Sequence, residues 1–227
     1  MELLFMCGRF ALDAPIAKIK SQFCVDDLTE LSPRYNISPG QDILFLCHMD
    51  EEQSNTALWL RWGLVPFWAK DKKIGNSLAN ARGETVAEKP AFRQSFKSKR
   101  GVIIMSGFFE WQQGIKKQPF YFKNTHDDLL AIAAMWDRWQ SPEGEVIQSC
   151  CLITTSASEL MSPVHNRMPV VLNNEAMKMW MDNSHFDKPA LLNLLKPYSD
   201  SDLVCYPVTP KMNNSRFILH ESIEPIQ

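Results

Sequence analysis

The pair Met6–Cys7, in the stretch MCGRF, is where residue type and position together offer chemistry. A cysteine that stands first in a chain carries an amine and a thiol on neighbouring carbons, so it captures an aldehyde twice. The amine forms a Schiff base, and sulfur then closes on the imine carbon to give a five-membered thiazolidine, which resists hydrolysis. With ordinary pKa values of about 7.7 for an α-amine and about 10.4 for lysine, roughly 17% of the former and about 0.04% of the latter is unprotonated at pH 7. An internal Cys7 keeps a nucleophilic thiol but cannot close that ring. The choice turns on MELLF, residues 1–5, which we read as an extension ahead of a true initiator at Met6, leaving a single domain over 6–227.

A second chemical signal lies in residues 61–100, where ten Lys and Arg face three acids. That gives +7 in a chain whose net charge is −2, and leaves −9 elsewhere. Trp62, Phe67, Trp68, Phe92 and Phe96 are interleaved with these cations. Positive charge for phosphates and flat surfaces for unstacked bases suit single-stranded nucleic acid, although a solvated basic face or a phosphorylated small molecule fits the charge alone. The five histidines (48, 126, 165, 185 and 220) have no metal-ligand spacing, so neither a metal nor another cofactor is expected. Of the six cysteines, all except Cys7 read as small core residues of a reducing compartment. With no basic leader and no run of about 18–20 apolar residues, the expectation is a cytoplasmic protein without a membrane span.

These groups need a scaffold, and its pattern is mainly β. Strand-like runs occur at 42–47, 57–62, 101–111, 119–122, 129–136, 150–155 and 168–172, with hairpin turns expected at 112–117 and 141–145. Ile16, Ile19 and Phe23 repeat with helical spacing, and Asn173 or Asn174 is placed to cap a helix carrying Met177, Trp180 and Met181. Strands and helices do not alternate regularly. The expected fold is therefore α+β, one domain with a largely antiparallel, barrel-like β core flanked by short helices.

Seven segments in order, MCGRF, RYNISPG (34–40), LRWGLVPFW (60–68), NARGET (80–85), SGFFEW (106–111), VHNRMPVVL (164–172) and VTPKMNNSR (208–216), resemble the SRAP family of SOS-response-associated peptidases, or abasic-site processing proteins. The resemblance implies removal of the initiator methionine, in which self-processing is attributed to the family. It further implies a covalent crosslink from the exposed cysteine to abasic sites in single-stranded DNA, as part of the DNA damage response. Cys7 matches the crosslinking residue, and Asn80, Glu110 and His165 match the polar residues around it. Glu110 is then expected to move protons at the imine and thiol, His165 to act at the sugar oxygen or adjacent phosphate, and Asn80 to orient the amine.

Arg9, Asn36, Arg82 and Arg167 lie in the same motifs. Guanidinium forks suit phosphate, so they are expected on the DNA backbone, with Thr154 and Thr155 as minor phosphate contacts and Lys211 and Arg216 at the rim. Pro39, Phe67 and Trp68 are expected to form an apolar wedge at a junction of single- and double-stranded DNA. The tail NNSRFILHESIEP departs from the family's acidic, glycine-containing end. The expected protein is a monomer, nucleoid-associated when on DNA, with lyase activity as a possible accompaniment. Two alternatives remain: a thiol peptidase or hydrolase built on Cys7, His165 and Asn80, and a noncovalent single-stranded DNA binding module.

Overall fold

The computed structural model describes residues 7–48, 55–112 and 117–226. Residues 1–6, which include the expected extension and initiator, and most of the expected 112–117 turn lie outside them. In chain order the elements are β1 (Arg9–Leu12), α1 (Ile16–Phe23), β2 (Arg34–Ile37), β3 (Asp42–Cys47), β4 (Thr56–Trp62), β5 (Asn80–Arg82), α2 (Arg93–Ser98), β6 (Arg100–Met105), β7 (Gly107–Trp111) and β8 (Pro119–Asn124). They continue with β9 (Leu130–Gln140), β10 (Val146–Ser156), β11 (Arg167–Pro169), β12 (Val171–Leu172), α3 (Asn174–Met181), α4 (Lys188–Asn193) and β13 (Leu203–Pro207).

Five of these strands close a ring, β10–β4–β3–β6–β9 and back to β10, with β5, β11 and β12 attached at its margins. The ring is antiparallel except where β10 runs parallel to β4, and β5 is also parallel to β10. A second sheet, ordered β13–β8–β7–β1–β2 and antiparallel throughout, packs on the barrel. The expected α+β barrel with short flanking helices is the fold observed. Its strands read as unbroken apolar runs rather than alternating ones because both faces of β3, β6 and β9 are largely buried.

The second sheet does alternate. Phe10, Leu12, Phe108 and Phe122 join the main core, and Phe10 meets Trp62 at 5.3 Å between ring centres. Ala11, Phe109 and Tyr121 point the other way, into a small cluster closed by Val208 and Met212. The run 101–111 is accordingly two strands in two sheets. Ser106 separates them, and Gly107 permits the change: a Cβ there would lie 2.4 Å from the Tyr121 ring and 2.5 Å from the Phe122 carbonyl oxygen. The stretch 168–172 is likewise divided, between β11 and β12.

Both expected helices form. Asn173 caps α3 by accepting from the Ala176 amide at 2.9 Å, and Trp180 donates to the Gly101 carbonyl at 2.9 Å. Arg100 is wholly buried and donates to the carbonyls of Phe96, Lys97, Trp180, Asp182 and His185, which gathers the ends of α2 and α3 around one cation. Cys47, Cys150 and Cys151 are buried as expected. Cys24 is not: it is exposed and left-handed at the end of α1, where its amide donates an N–H to close the last turn.

Candidate functional site

Cys7 lies just before β1, and β1 pairs with β7 through Arg9 opposite Phe109. This register brings the Cys7 backbone N–H to Glu110, whose Oε1 accepts it at 2.5 Å. Glu110 shares the inward face of β7 with Phe108, so its carboxylate is 2% exposed, and Cys7 is equally buried. Burial raises the Glu110 carboxyl above the usual range, with the charge of His165 and the bond from Cys7 offsetting part of the shift. Burial also pushes the Cys7 thiol well up. Glu110 adds to this, and Arg167 opposes it.

His165 reaches the same place from the loop before β11. Its Nδ1 accepts the Arg167 amide at 3.0 Å, which puts the ring proton of the neutral form on Nε2. Asn80 and Arg82 are carried by β5, which lies along β10 with Asn80 opposite Leu152 and Arg82 opposite Thr154. On the other side of β10, β11 sets Arg167 opposite Ser156. The end of β10 is thus the rail that brings NARGET and VHNRMPVVL together. Arg82 is exposed. The Arg167 guanidinium donates to both oxygens of Glu84, at 2.5 and 2.9 Å, and to the Thr154 carbonyl at 2.8 Å.

Several expected DNA contacts stand elsewhere. Thr154 and Thr155 are buried, and their hydroxyls donate to the carbonyls of Ala81 and Leu195, because β10 is covered at this end; they brace the site and do not present themselves to phosphate. Asn36 is also buried. Its Oδ1 accepts from Arg9, and its amide donates to the carbonyls of Met212, Asn214 and Phe217. Arg9 donates to the Met212 and Asn213 carbonyls and lies over Trp111 at 5.7 Å, on the face of β1 opposite the one that follows Glu110. Both residues therefore clamp the chain's C-terminal stretch. Lys211 and Arg216 are exposed on it.

Phe67 and Trp68 are exposed, 54% and 47%, while Trp62 is core. They border a cavity of 300 Å³ with Pro90, Arg93 and Gln94. Their loop is fixed from the barrel: the Phe67 amide donates to Asp137, the Val65 amide to Ser149, and the Trp139 indole to the Ala69 carbonyl. Asp137 lies opposite Ser149 on β10, five residues before Thr154, so the aromatic tip is about 17 Å along the strand from Arg82. Pro39, partly buried, sits in the turn whose Gly40 amide donates to the Trp62 carbonyl, at the base of the same loop.

Among the described residues, no three His, Cys, Asp or Glu come together as a metal cluster. Two participants escaped the sequence reading. Glu84 stands inside NARGET, where an acid two residues after the motif's arginine was a usable signal; Asp137 interrupts an apolar strand, which was another.

The family model described as SOS response associated peptidase (SRAP) matches residues 6–215. The chain belongs to the SRAP family. Among similar proteins are the abasic site processing protein YoqW of Bacillus subtilis strain 168, 39% identical over 96% of this chain and 99% of that one, and the abasic site processing protein HMCES of Xenopus tropicalis, 32% identical over 84% of this chain and 65% of that one. A solved structure from Bacteroides thetaiotaomicron shares the SRAP-like fold at a TM-score of 0.88 and 24% identity, covering 97% of this chain and all of that one.

Proposed function

We propose that this protein processes abasic sites, acting as a monomer on single-stranded DNA through a covalent bond made by Cys7. The observation that carries the reading is the Cys7 nitrogen against the buried Glu110 carboxylate, with His165 beside it. Once Met6 is removed, that nitrogen is an α-amine held against a proton acceptor. It adds to the aldehyde of the ring-opened sugar while Glu110 takes its proton. Glu110 passes that proton to the oxyanion to give the carbinolamine, then takes the second proton from nitrogen and delivers it to the departing hydroxyl, so that water leaves and the neutral imine remains. The thiol then adds to the imine carbon and its proton passes through Glu110 to nitrogen, so the product is protein plus DNA minus one water. Burial raises the pKa of this carboxyl, which brings it closer to those of the groups it exchanges protons with.

His165, with its Nε2 proton, serves the sugar oxygen in ring opening. The reverse motion of the same protons opens the thiazolidine and hydrolyses the imine, which would be self-reversal; a lyase activity would instead take the proton from the carbon next to the imine and expel the 3′-phosphate. The names of the relatives YoqW and HMCES support the substrate class. A thiol peptidase is the less favoured reading because the structure sets the carboxylate against the Cys7 nitrogen, an atom that a thiol nucleophile alone does not use.

The test is intact mass spectrometry of protein started at Met6, before and after incubation with a single-stranded oligonucleotide bearing one abasic site. The expected result is loss of the methionine followed by a heat-stable species at protein plus DNA minus water, without borohydride. Cys7→Ser should give only a labile imine. A wild-type protein that has lost Met6 and gains no mass would overturn the covalent reading.

A further inference from the structure

Glu84 is the one acidic partner of Arg167 among the described residues, and the two ends of this ion pair are held very differently. The Arg167 side chain is 13% exposed, and Thr154 fixes its guanidinium by the carbonyl at 2.8 Å and the hydroxyl at 3.2 Å. Glu84 is 52% exposed and stands in the short turn Gly83–Thr85 between β5 and α2. That turn's backbone is packed down, since a Cβ on Gly83 would lie 3.3 Å from the Thr154 carbonyl oxygen. Its carboxylate, however, reaches into water. Remove the carboxylate and Thr154 still holds Arg167; remove the guanidinium and the carboxylate keeps only a local backbone hydrogen bond and the charge of Arg82.

We infer that Glu84 is a specificity-determining residue that occupies the Arg167 fork as a stand-in for phosphate and is displaced by a backbone phosphate of the bound strand. The inference rests on the reading of the protein as a DNA-binding one. Both oxygens of Glu84 bind one guanidinium, which is the geometry a phosphate uses on arginine. Arg82, two residues away, adds its charge at the same carboxylate, so the occupant of this position lies under two cations. An ion pair with one member half in water is weak enough to exchange. A monoanionic carboxylate or chloride gains nothing by replacing Glu84, whereas a phosphate supplies the same two oxygens along with a chain of further charges. The carboxylate thereby reserves a position next to the reactive cysteine for polyphosphate strands.

The test is a double-mutant cycle read by fluorescence anisotropy with a labelled, lesion-free single-stranded oligonucleotide over a series of salt concentrations. Glu84→Gln should bind about three- to fivefold more tightly than wild type and steepen the slope of log affinity against log salt by about 0.7, one additional phosphate contact. In an Arg167→Gln background the same change should alter affinity less than twofold. Glu84→Asp, too short to span the fork, should fall between wild type and Glu84→Gln. Weaker binding by Glu84→Gln would make the residue a brace for Arg167 and overturn the inference. Equal tightening in both backgrounds would reduce it to general repulsion and overturn it as well. Wild type that binds no DNA at any salt would instead overturn the functional reading, and this one with it.

Discussion

At the scale of single residues, the site depends on a carboxylate in a place that disfavours charge. Burial raises the Glu110 carboxyl above its unfolded value, so the native state holds this proton more tightly than the unfolded chain does. The group's contribution to stability is therefore complete below the unfolded pKa of about 4.3 and is lost as pH rises through the folded pKa. Above that range the buried carboxylate costs stability, a cost that the proton transfers proposed for it would account for. Glu110→Gln keeps the oxygen that accepts from Cys7 and removes the charge. It should raise Tm at pH 8, leave Tm nearly unchanged at pH 4, and slow formation of the heat-stable DNA adduct by about 10²–10⁴-fold. Calorimetry at the two pH values and single-turnover gels check it, and a lower Tm at pH 8 would identify the carboxylate as a net stabiliser. Cys7, Glu110 and His165, which the structure brings together, were legible as candidates because each stands in a motif, as Asn80 does. The faces on which motif residues emerge were not. Arg9 and Glu110 belong to adjacent, paired strands, yet one follows the outer face and the other the inner face, and no sequence pattern around MCGRF states which.

At the scale of elements, the aromatic loop after β4 is positioned by the side chains of two strands. Asp137, 1% exposed, accepts from the amides of Phe67 and Arg138 and pairs with Lys99 at 2.5 Å. Asp137→Ala leaves a loop amide and a partly buried ammonium without their acceptor. It should cost about 3 kcal/mol in urea denaturation and weaken binding of single-stranded DNA, because Phe67 and Trp68 are no longer held ready to stack. Asp137→Asn retains an acceptor for the Phe67 amide, and should recover most of the DNA affinity while losing stability through Lys99. Equal DNA affinity for the Ala variant and wild type would separate loop order from binding. Legibility at this scale follows pattern length. Strands β3, β9 and β10 and helices α1 and α3 announced themselves by long apolar runs or helical spacing with a cap. Strands β1, β2, β5 and β13, three to five residues each with polar members, are strands because of their partners. The sheet change hidden in GVIIMSGFFEW depends on Tyr121, distant in sequence, crowding Gly107.

At the scale of the whole molecule, the second sheet divides two jobs between its faces. The inner face closes on the barrel and carries Glu110 to Cys7; the outer face holds residues 207–226 as a strap. Arg9 and Asn36 bind strap carbonyls, the Trp111 indole donates to Asn213, and the Tyr206 hydroxyl donates to Ile223. The +7 of residues 61–100 is likewise divided by the fold. Arg100 is consumed inside, and Lys72 and Lys99 pair with Glu145 and Asp137, while Lys70, Arg82, Lys89, Arg93 and Lys97 remain exposed, Arg93 beside Phe67 and Trp68. Because chemistry and strap lie on opposite faces of one sheet, loosening the strap should leave the chemistry standing. Asn36→Ala removes the donor of three carbonyls and an acceptor of Arg9, a loss of about 2–3 kcal/mol in global stability. Hydrogen exchange should rise at residues 211–219, and DNA affinity should fall modestly as Lys211 and Arg216 lose their fixed positions. The rate at which protein freed of Met6 forms a thiazolidine with a small aldehyde such as glyoxylate should remain within twofold of wild type. A large loss of that rate would mean that the strap supports Cys7 through the sheet, and that the two faces are one mechanical unit.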